Sequence, residues 1–538
     1  MTRPTPSRRP RLVALGAAGA TALAGTVAVA GPAAAAPAAA VACENRTNNT
    51  VAKLTDCVTL DGVMEHLEAF QAIADANGDT RASGTPGYDA SVEYVEQRLD
   101  EAGWEVSRQE FEFPFFQLRS SSFSRVAPTE TTYQAGTDYV PMTYTGSASV
   151  DDGAVTPVDI DSGTSGCEAA DFTGFPSGTV ALVQRGACAF AVKASNAEAA
   201  GASAVIVFNN VEGPLNGTLG APGIDIPVIG VPTTLGRELA APGTTVDLAV
   251  DSTSAIRTTE NVIAELPGRT PDNVVMAGAH LDSVLAGPGI NDNGSGSAAL
   301  IEVAENLNKA KLTNTVRFAW WGAEELGLLG SEHYVSQLGE QQLADIGLYL
   351  NFDMVGSPNF ARFIYDGDQS AFEAPVEVPE GSAQIEYVFE DFYEEQELFY
   401  EGSEFSGRSD YQAFIEAGIP SGGLFTGAEV LKEEYQVATY GGEAGVAYDR
   451  NYHQAGDDIT NVDGEVLDQN SDAIAYAVLT LAYDTARVNG VVGRPVPGGT
   501  FEEHPQDRQY RIGAQRTTGG GGLHAGHDHD HDHGGESV

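Results

Sequence analysis

The chain has 538 residues, with 28 basic and 76 acidic side chains, and therefore a formal net charge of −48 at pH 7. This length allows two or more domains with separate hydrophobic cores. So negative a charge repels nucleic acid and anionic membrane surfaces, which excludes both as expected partners.

The first 42 residues have the layout of a secretory signal. Three arginines (Arg8, Arg9 and Arg11) precede an apolar run, and a stretch of small residues, AAAAPAAAVA, follows it. A retained membrane anchor is the alternative, but no basic stop-transfer segment comes after the run. We expect a secreted, extracellular protein that leaves the membrane once residues 1–42 are removed.

All four cysteines lie after this segment, at Cys43, Cys57, Cys167 and Cys188. An even number in an exported chain predicts two disulfides, and three pairings are possible. Closure of short loops favours Cys43–Cys57 and Cys167–Cys188. Buried free thiols are the alternative.

Helical spacing dominates the next segment. Residues 61–103 read as two amphipathic helices, the second with Val92, Val95 and Leu99 on one face, and WEVSRQEFEFPFF then alternates as a strand. We assign residues 43–118 to the first part of the main domain.

Residues 119–257 change in character. Short β-runs such as TVALVQRG, IPVIGVP and TVDLAV are separated by Gly, Pro, Asp and Thr, and AVKASNAEAAGA reads as one helix. This pattern predicts a compact β-rich domain.

In residues 258–490 strands and helices alternate. The predicted strands are ENVIAEL, DNVVMAGAH, TVRFAWWG, GLYLNFDMVG and SGGLFTG, and the predicted helices are SGSAALIEVAENLNKA, LGLLGSEHYVSQL and residues 468–488. Apolar strands between helices predict an α/β fold, with a mixed, mostly parallel sheet covered by helices on both faces.

Residues 491–538 form a C-terminal extension. From Thr517 it is rich in Gly, His and Asp and has no apolar content to bury, so we expect disorder. Its alternating His and Asp residues predict either weak capture of divalent metal or simply a solvated tail.

Acidic residues and a histidine follow three of the predicted strands. One strand ends at His280, the next leads to Glu324 and Glu325, and a third ends at Asp353. Because ligand sites collect at the carboxyl ends of parallel strands, we expect these side chains to meet. Asp292 in the Gly-rich loop and the distant Tyr452–His453 pair are further candidates.

Several carboxylates gathered at the end of a buried sheet need a positive counter-charge. A metal supplies one. A set of His, Asp and Glu ligands without Cys favours zinc, with cobalt or manganese as alternatives, and two ions need a bridging carboxylate.

These stretches resemble the co-catalytic di-zinc aminopeptidases of metallopeptidase family 28. The resemblance runs in order through MAGAHLDSV, GINDNGSGSAA, RFAWWGAEELGLLGS, YLNFDMVGSP, GRSDY, GLFTGAE and the YH pair. It implies a zinc-exopeptidase fold and two zinc ions per chain.

The resemblance also implies a role for each matching residue. His280 and Asp353 would hold one zinc, Glu325 and His453 the other, and Asp292 would bridge them. Glu324 and Tyr452 would be catalytic, the first as general base and the second as the donor to the oxyanion. Asp282, as the carboxylate that orients His280, and Arg408, as a neighbour of the site, would have supporting roles.

Two features depart from the family pattern. In one member a disulfide flanks the Tyr-His pair, whereas Asn451 and Gly456 occupy those positions here. Calcium binds near the last helix in that member. Asp468 and Asp472 match two of its ligands, but Cys57 and Val58 stand at the N-terminal ligand positions, so a helix start without calcium is the alternative.

The inserted segment resembles the protease-associated (PA) domain. Residues 178–210, which include Cys188 in the stretch QRGAC, carry the likeness. Such domains are associated with covering the cleft or contacting substrate, and nothing in this segment is typical of a catalytic site.

The sequence therefore predicts a secreted, monomeric aminopeptidase that acts on peptide or protein N-termini, with large apolar residues such as Leu, Met and Phe preferred by resemblance. Alternatives within the same family are a carboxypeptidase or dipeptidase, which needs a basic pocket, and a glutaminyl cyclase. A non-catalytic receptor-like protein is the alternative from a different class, because such proteins combine the same two domains without metal ligands.

Overall fold

The computed structural model describes Cys43 and residues 45–497. The predicted signal segment and the His/Asp-rich tail lie outside the described residues. Within that part of the chain, no helix combines the length and the apolar character needed to cross a membrane.

One continuous sheet of 14 strands runs through the described residues. Its strands are β1 Glu105–Ala127, β2 Thr131–Tyr133, β3 Val140–Pro141, β4 Ala148–Pro157, β5 Val180–Gln184, β6 Ala204–Phe208, β7 Val228–Val231, β8 Thr245–Leu266, β9 Thr270–His280, β10 Asn314–Trp321, β11 Ile346–Phe352, β12 Phe363–Tyr365, β13 Glu401–Ser403 and β14 Ser421–Phe425.

The strand order is β13-β12-β14-β11-β9-β10-β8-β4-β5-β6-β7-β3, with β1 beside β8 and β2 beside β1. Four neighbours, β14, β11, β9 and β10, are parallel. β8 is antiparallel to β10, and β12 to β14. The prediction of a mixed, mostly parallel sheet is therefore confirmed.

Helices cover this sheet. They are α1 Val51–Thr55, α2 Leu60–Ala76, α3 Pro86–Ala102, α4 Phe190–Ala199, α5 Thr233–Leu239, α6 Gly296–Leu307, α7 Leu329–Ser336, α8 Glu340–Asp345, α9 Ser382–Glu395, α10 Tyr411–Glu416, α11 Glu434–Tyr440, α12 Gly464–Tyr483 and α13 Ala486–Asn489.

Both faces of the central strands are buried. Successive side chains of a strand point to opposite faces of the sheet, so each strand contributes to two cores. On β10, Phe318 and Trp320 join a core with α2, α3, α6 and α12, whereas Ala319 and Trp321 join a second core with α7 and α10. This explains the near-continuous apolar runs of the parallel strands.

Two long strands connect the inserted domain to the main sheet. β1 and β8 pair antiparallel from Glu105↔Glu265 to Ala127↔Thr245, with two register shifts. The sequence predicted separate strands at TVDLAV and ENVIAEL, and this is wrong. Pairing with β1 satisfies the backbone of the polar residues between them, so one strand of 22 residues forms.

The inserted domain contains β2 to β7, α4 and α5. β4, β5, β6 and β7 are parallel to one another, and their apolar residues form cores separate from those of the main sheet. The prediction of a β-rich inserted domain is confirmed, while its boundaries at 119 and 257 stay predictions.

Both predicted disulfides, Cys43–Cys57 and Cys167–Cys188, are present. The last long helix differs from its predicted bounds of 468–488. It begins at Gly464 because the side chain of Asp463 accepts hydrogen bonds from the N–H groups of Glu465 and Val466. It ends at Tyr483, after which the short helix α13 begins at Ala486.

Candidate metal centre and active-site cleft

The carboxyl ends of three parallel strands deliver the candidate ligands. β9 ends at His280, which is paired in register with Trp321 at the end of β10. Asp353 directly follows β11, the strand on the other side of β9. The shared parallel direction brings the three strand ends to one edge of the sheet, as the sequence predicted.

His280 lies among three carboxylates. Its Nε2 is 3.3 Å from Asp292 Oδ1, 3.4 Å from Asp353 Oδ1 and 3.8 Å from Glu324 Oε2. The imidazole is 2% exposed, so these contacts are shielded from water.

His453 forms the second half of the cluster. Its Nε2 is 2.9 Å from Glu325 Oε2 and 3.3 Å from Asp292 Oδ2. Asp292 therefore directs one carboxylate oxygen to each histidine, which is the arrangement required of a bridging ligand.

Local backbone geometry separates the two adjacent glutamates. Ala323 has a left-handed φ of 54°, and a single 3₁₀ turn follows over Glu324–Leu326. This turn sends Glu324 toward His280 and Glu325 toward His453.

Hydrogen bonds fix the other ligand candidates. Ser409 Oγ donates to Asp353 Oδ2 at 2.6 Å. The main-chain N–H groups of Asn291 and Asp292 donate to Asp457 at 2.9 and 3.0 Å. Sequence reasoning gave no role to Ser409, which lies in the GRSDY stretch, or to Asp457, because neither shows a ligand spacing of its own.

Asp282 contacts His280 in a way that the sequence did not anticipate. His280 Nδ1 lies 3.0 Å from the main-chain oxygen of Asp282, whereas the carboxylate Oδ1 is 3.8 Å away. The carboxylate Oδ1 instead accepts a hydrogen bond from the N–H of Glu324 at 3.2 Å. Asp282 thus contacts His280 at the end of β9 through its main-chain oxygen and the backbone of Glu324 after β10 through its carboxylate. A role of this carboxylate in orienting His280 stays a prediction.

Tyr452 and Arg408 stand together at the side of the cluster. The rings of Tyr452 and His453 stack with centroids 3.8 Å apart. Arg408 Nη2 donates to the Tyr452 hydroxyl at 3.4 Å, and its Nη1 donates to Glu429 at 2.9 Å.

Hydrogen bonds replace the missing disulfide near this pair. Asn451 Nδ2 donates to Asn461 Oδ1 at 2.7 Å, and the N–H of Asn451 donates to Asp449 at 2.8 Å. A Cβ added to Gly456 would lie 2.5 Å from Asn451 Oδ1, so the two positions remain in close contact.

The cluster is strongly coupled by charge. Burial lowers the pKa of His453, but Glu325 and Asp292 outweigh burial and raise it to about 11. The pKa of His280 is likewise raised well above its usual range by Glu324 and Asp353 despite burial. Burial raises the pKa of Glu324 well above its usual range.

The donor set fits a metal. Glu325 Oε1 and Asp353 Oδ1 are buried and have no hydrogen-bond partner among the described residues. Ligand atoms of His280, Asp292 and Glu325 lie within 4.8 Å of one another, as do those of His280, Glu324 and Asp353. One cation beside each of His280 and His453 would satisfy these oxygens and replace the protons on the two imidazoles.

The cluster lies at the base of a cavity of about 960 Å³. Apolar and aromatic side chains form much of its wall: Met354, Phe363, Tyr365, Phe372, Tyr411, Phe425, Val430 and Tyr448. Arg408 is the one Lys or Arg side chain among the described residues that line it.

The calcium candidates lie at the start of α12. Asp468 Oδ1 accepts a hydrogen bond from the N–H of Leu60 at 3.1 Å. Asp472 Oδ1 is buried and has no hydrogen-bond partner within the part of the chain that the structure describes. Burial followed by the charge of Asp468 raises the pKa of Asp472 to about 7. Two carboxylates are fewer oxygens than calcium usually takes, so this site stays a prediction.

Histidines and carboxylates at the carboxyl edge of a mostly parallel sheet, beside a large cavity, are typical of a metal-dependent enzyme. Comparison with known proteins narrows this class. Residues 261–478 match the model of peptidase family M28, and residues 152–239 match the PA domain.

The names of the relatives agree with the peptidase match. An aminopeptidase of Pseudomonas aeruginosa (strain UCBPP-PA14) is 46% identical over 454 residues, covering 82% of this chain and 84% of its own. Leucine aminopeptidase 2 of Trichophyton rubrum is 43% identical over 457 residues, covering 83% and 88%. A solved zinc aminopeptidase from Bacillus subtilis is 25% identical, with a TM-score of 0.53 over 81% of this chain and 98% of its own.

The chain belongs to peptidase family M28 and carries a PA domain. The prediction that it is an enzyme of the metallo-aminopeptidase class is confirmed.

Proposed function

We propose that the protein is a secreted di-zinc aminopeptidase that removes large apolar residues from the N-termini of peptides. The observation that carries this proposal is the position of Asp292 between His280 and His453, 3.3 Å from each imidazole. A carboxylate so placed can hold two cations at once.

Two sets of residues would hold the metals. His280 and Asp353 would hold one zinc, Glu325 and His453 the other, and Asp292 both. Bound zinc supplies Lewis acidity, which makes water acidic enough to lose a proton near neutral pH and polarises the scissile carbonyl.

Glu324 acts as the general base in this proposal. Its side chain is buried, and burial raises its pKa, so it can take a proton from the attacking water and hold it. It then returns this proton to the leaving amine. Its distance of 3.8 Å from His280 Nε2 leaves it beside the reacting atoms.

Tyr452 stabilises the negative oxygen of the tetrahedral intermediate. Burial followed by the charges of Asp292 and Glu325 raises its pKa well above the usual range, so the hydroxyl remains a donor. Arg408, 3.4 Å from that hydroxyl, orients it.

The cavity supports an aminopeptidase specificity. Its aromatic wall suits a large apolar side chain, and the carboxylates near His280 suit a free ammonium group. A carboxypeptidase would need basic groups for the C-terminal carboxylate, whereas Arg408 already pairs with Glu429. The names of the Trichophyton relatives support preference for leucine.

Export and a monomeric state complete the proposal. Both disulfides are compatible with an oxidising compartment. Fractionation of a culture into cells and medium, followed by size-exclusion chromatography of the active fraction, tests both statements.

The activity is tested with the anilides of Leu, Arg and Glu, each with a free and an N-acetylated amine, with and without a chelator. We expect fastest cleavage of the free Leu compound, none of the acetylated ones, and loss of activity with the chelator. Cleavage of acetyl-Leu anilide, or indifference to the chelator, would contradict the proposal.

A further inference from the structure

Arg81 is a fully buried cation in the connection between α2 and α3. Its guanidinium stacks on the ring of Phe70, 4.9 Å from the centroid. Burial lowers its pKa to about 10, against the raising effects of Asp282, Asp457 and Asp292, so it stays charged at neutral pH.

The donors of this guanidinium are directed at a single loop. Nε donates to the carbonyl of Pro288 at 2.8 Å, Nη2 to that of Gly289 at 2.5 Å, and Nη1 to that of Leu281. Segment 281–289 is the irregular connection between His280 and the turn that carries Asp292.

Adjacent groups reinforce the attachment. The N–H of Arg81 donates to Ser283 Oγ at 2.9 Å, and Thr80 Oγ1 donates to the carbonyl of Val284 at 2.9 Å. Gly289 has a left-handed φ of 63°, and a Cβ there would lie 2.4 Å from the Cβ of Ser283. The loop is therefore folded tightly around the guanidinium.

We propose that Arg81 is a positioning residue, whose guanidinium holds both ends of segment 281–289 and so fixes the separation between His280 and Asp292. The planar fork is essential, because it reaches three carbonyls that a single ammonium group cannot serve together. The consequence for metal binding rests on the proposed function, which makes His280 and Asp292 zinc ligands.

The chain offers a matched control. Arg257 also stacks on a phenylalanine, Phe115, at 3.7 Å and donates to a main-chain carbonyl, that of Gly84, at 2.6 Å. Among the described residues, neither this ring contact nor this hydrogen bond is made to a residue of segment 281–289. Arg81→Lys and Arg257→Lys therefore make the same chemical change at a residue that donates to this segment and at one that donates elsewhere.

The experiment makes three measurements on the zinc-loaded, full-length variants: hydrogen exchange by mass spectrometry, zinc retention against a competing chelator, and steady-state kinetics. For Arg81→Lys we expect faster exchange in residues 281–293 and about 10-fold to 100-fold weaker zinc retention, the usual effect of disturbing groups behind a ligand. We expect kcat to fall more than KM rises. Arg257→Lys should match the wild type in all three measurements.

Wild-type exchange in residues 281–293 of Arg81→Lys would overturn the proposal. Should that variant be insoluble, Arg81→Gln, which keeps one donating group, replaces it under the same criteria. Zinc retention by Asp292→Asn serves as a separate reference. Unchanged retention in that variant would refute the metal assignment, whereas the exchange rates of Arg81→Lys would still test the positioning role of Arg81.

Discussion

Glu324 and Glu325 are adjacent in the chain but face different histidines: Glu324 Oε2 lies 3.8 Å from His280 Nε2, and Glu325 Oε2 lies 2.9 Å from His453 Nε2. The left-handed Ala323 and the 3₁₀ turn that follows cause this divergence. Two identical side chains can therefore have separate tasks, one as proton carrier and one as ligand.

Glu324→Gln should retain fold and metal but lose turnover. The amide has the same shape and cannot accept a proton, so we expect kcat to fall about 10²–10⁴-fold, the usual contribution of a general base. Metal content and the thermal unfolding curve should match the wild type. Substantial remaining turnover in a metal-loaded sample would refute the base assignment.

His453→Ala should release one of two zinc ions. The ligands of the other ion, His280, Asp353 and Asp292, stay in place, so atomic absorption should fall from about two zinc per chain toward one. Arg450→Ala removes the neighbouring exposed side chain and should keep both ions. Equal zinc content in the two variants would contradict the assignment.

The sequence predicted those site residues that occupy the ends of recognisable strands, and it missed those whose position depends on contacts distant in the chain. His280 and Asp353 were accessible because each ends a buried parallel strand, and such ends meet by topology. The contact of His280 with the main-chain oxygen of Asp282 could not be predicted, since sequence spacing does not tell whether the carboxylate or the main-chain carbonyl of Asp282 meets the imidazole. Arg81 stood in a polar turn and gave no signal, because its burial arises from contacts about 200 residues away in the chain.

The fold shows the same limit. Helix Ser382–Glu395 was not predicted, although Ile385, Val388, Phe389 and Phe392 have helical spacing and are buried. The length of β8 could not be read locally, because residues 251–259 lack an apolar pattern and are held by pairing with β1. The helix was therefore missed despite a local signal, whereas the full length of β8 had no local signal because it depends on a distant partner.

Tyr452→Phe should lower kcat without changing metal content. Loss of one donor to a developing oxyanion costs about 10²–10³-fold in kcat. Stacking on His453 does not involve the hydroxyl, so the ligand should stay in position. Tyr435→Phe, which loses a hydroxyl that contacts Glu401 at 2.9 Å, is the control and should keep its activity. A change of less than about twofold in Tyr452→Phe would exclude the oxyanion role.

Calcium should raise the melting temperature of the zinc-loaded protein if Asp468 and Asp472 bind it. A ligand at 100 times its dissociation constant adds about 2.7 kcal/mol to the free energy of unfolding. Scanning calorimetry with calcium or magnesium, on the wild type and on Asp472→Asn, tests this. No calcium-specific shift in the wild type would favour the alternative of a helix start without bound ion.

Glu386→Gln should make stability less sensitive to pH. Burial, followed by the charges of Asp368, Asp366 and Glu390, raises the pKa of Glu386 to about 9. The folded state therefore keeps a proton that the unfolded chain has lost above about pH 4.3. The contribution of this group to the free energy of unfolding is therefore fully present below about pH 4.3 and is lost as the pH rises to about 9.

Gln mimics the protonated acid and can still accept the hydrogen bond from the N–H of Asp368. The melting temperature of Glu386→Gln relative to the wild type should therefore increase steadily between pH 5 and about 9. Glu340→Gln, at an exposed position in α8, is the control and should show no such trend. A constant difference between Glu386→Gln and the wild type across this range would show that Glu386 is ionised in the folded protein.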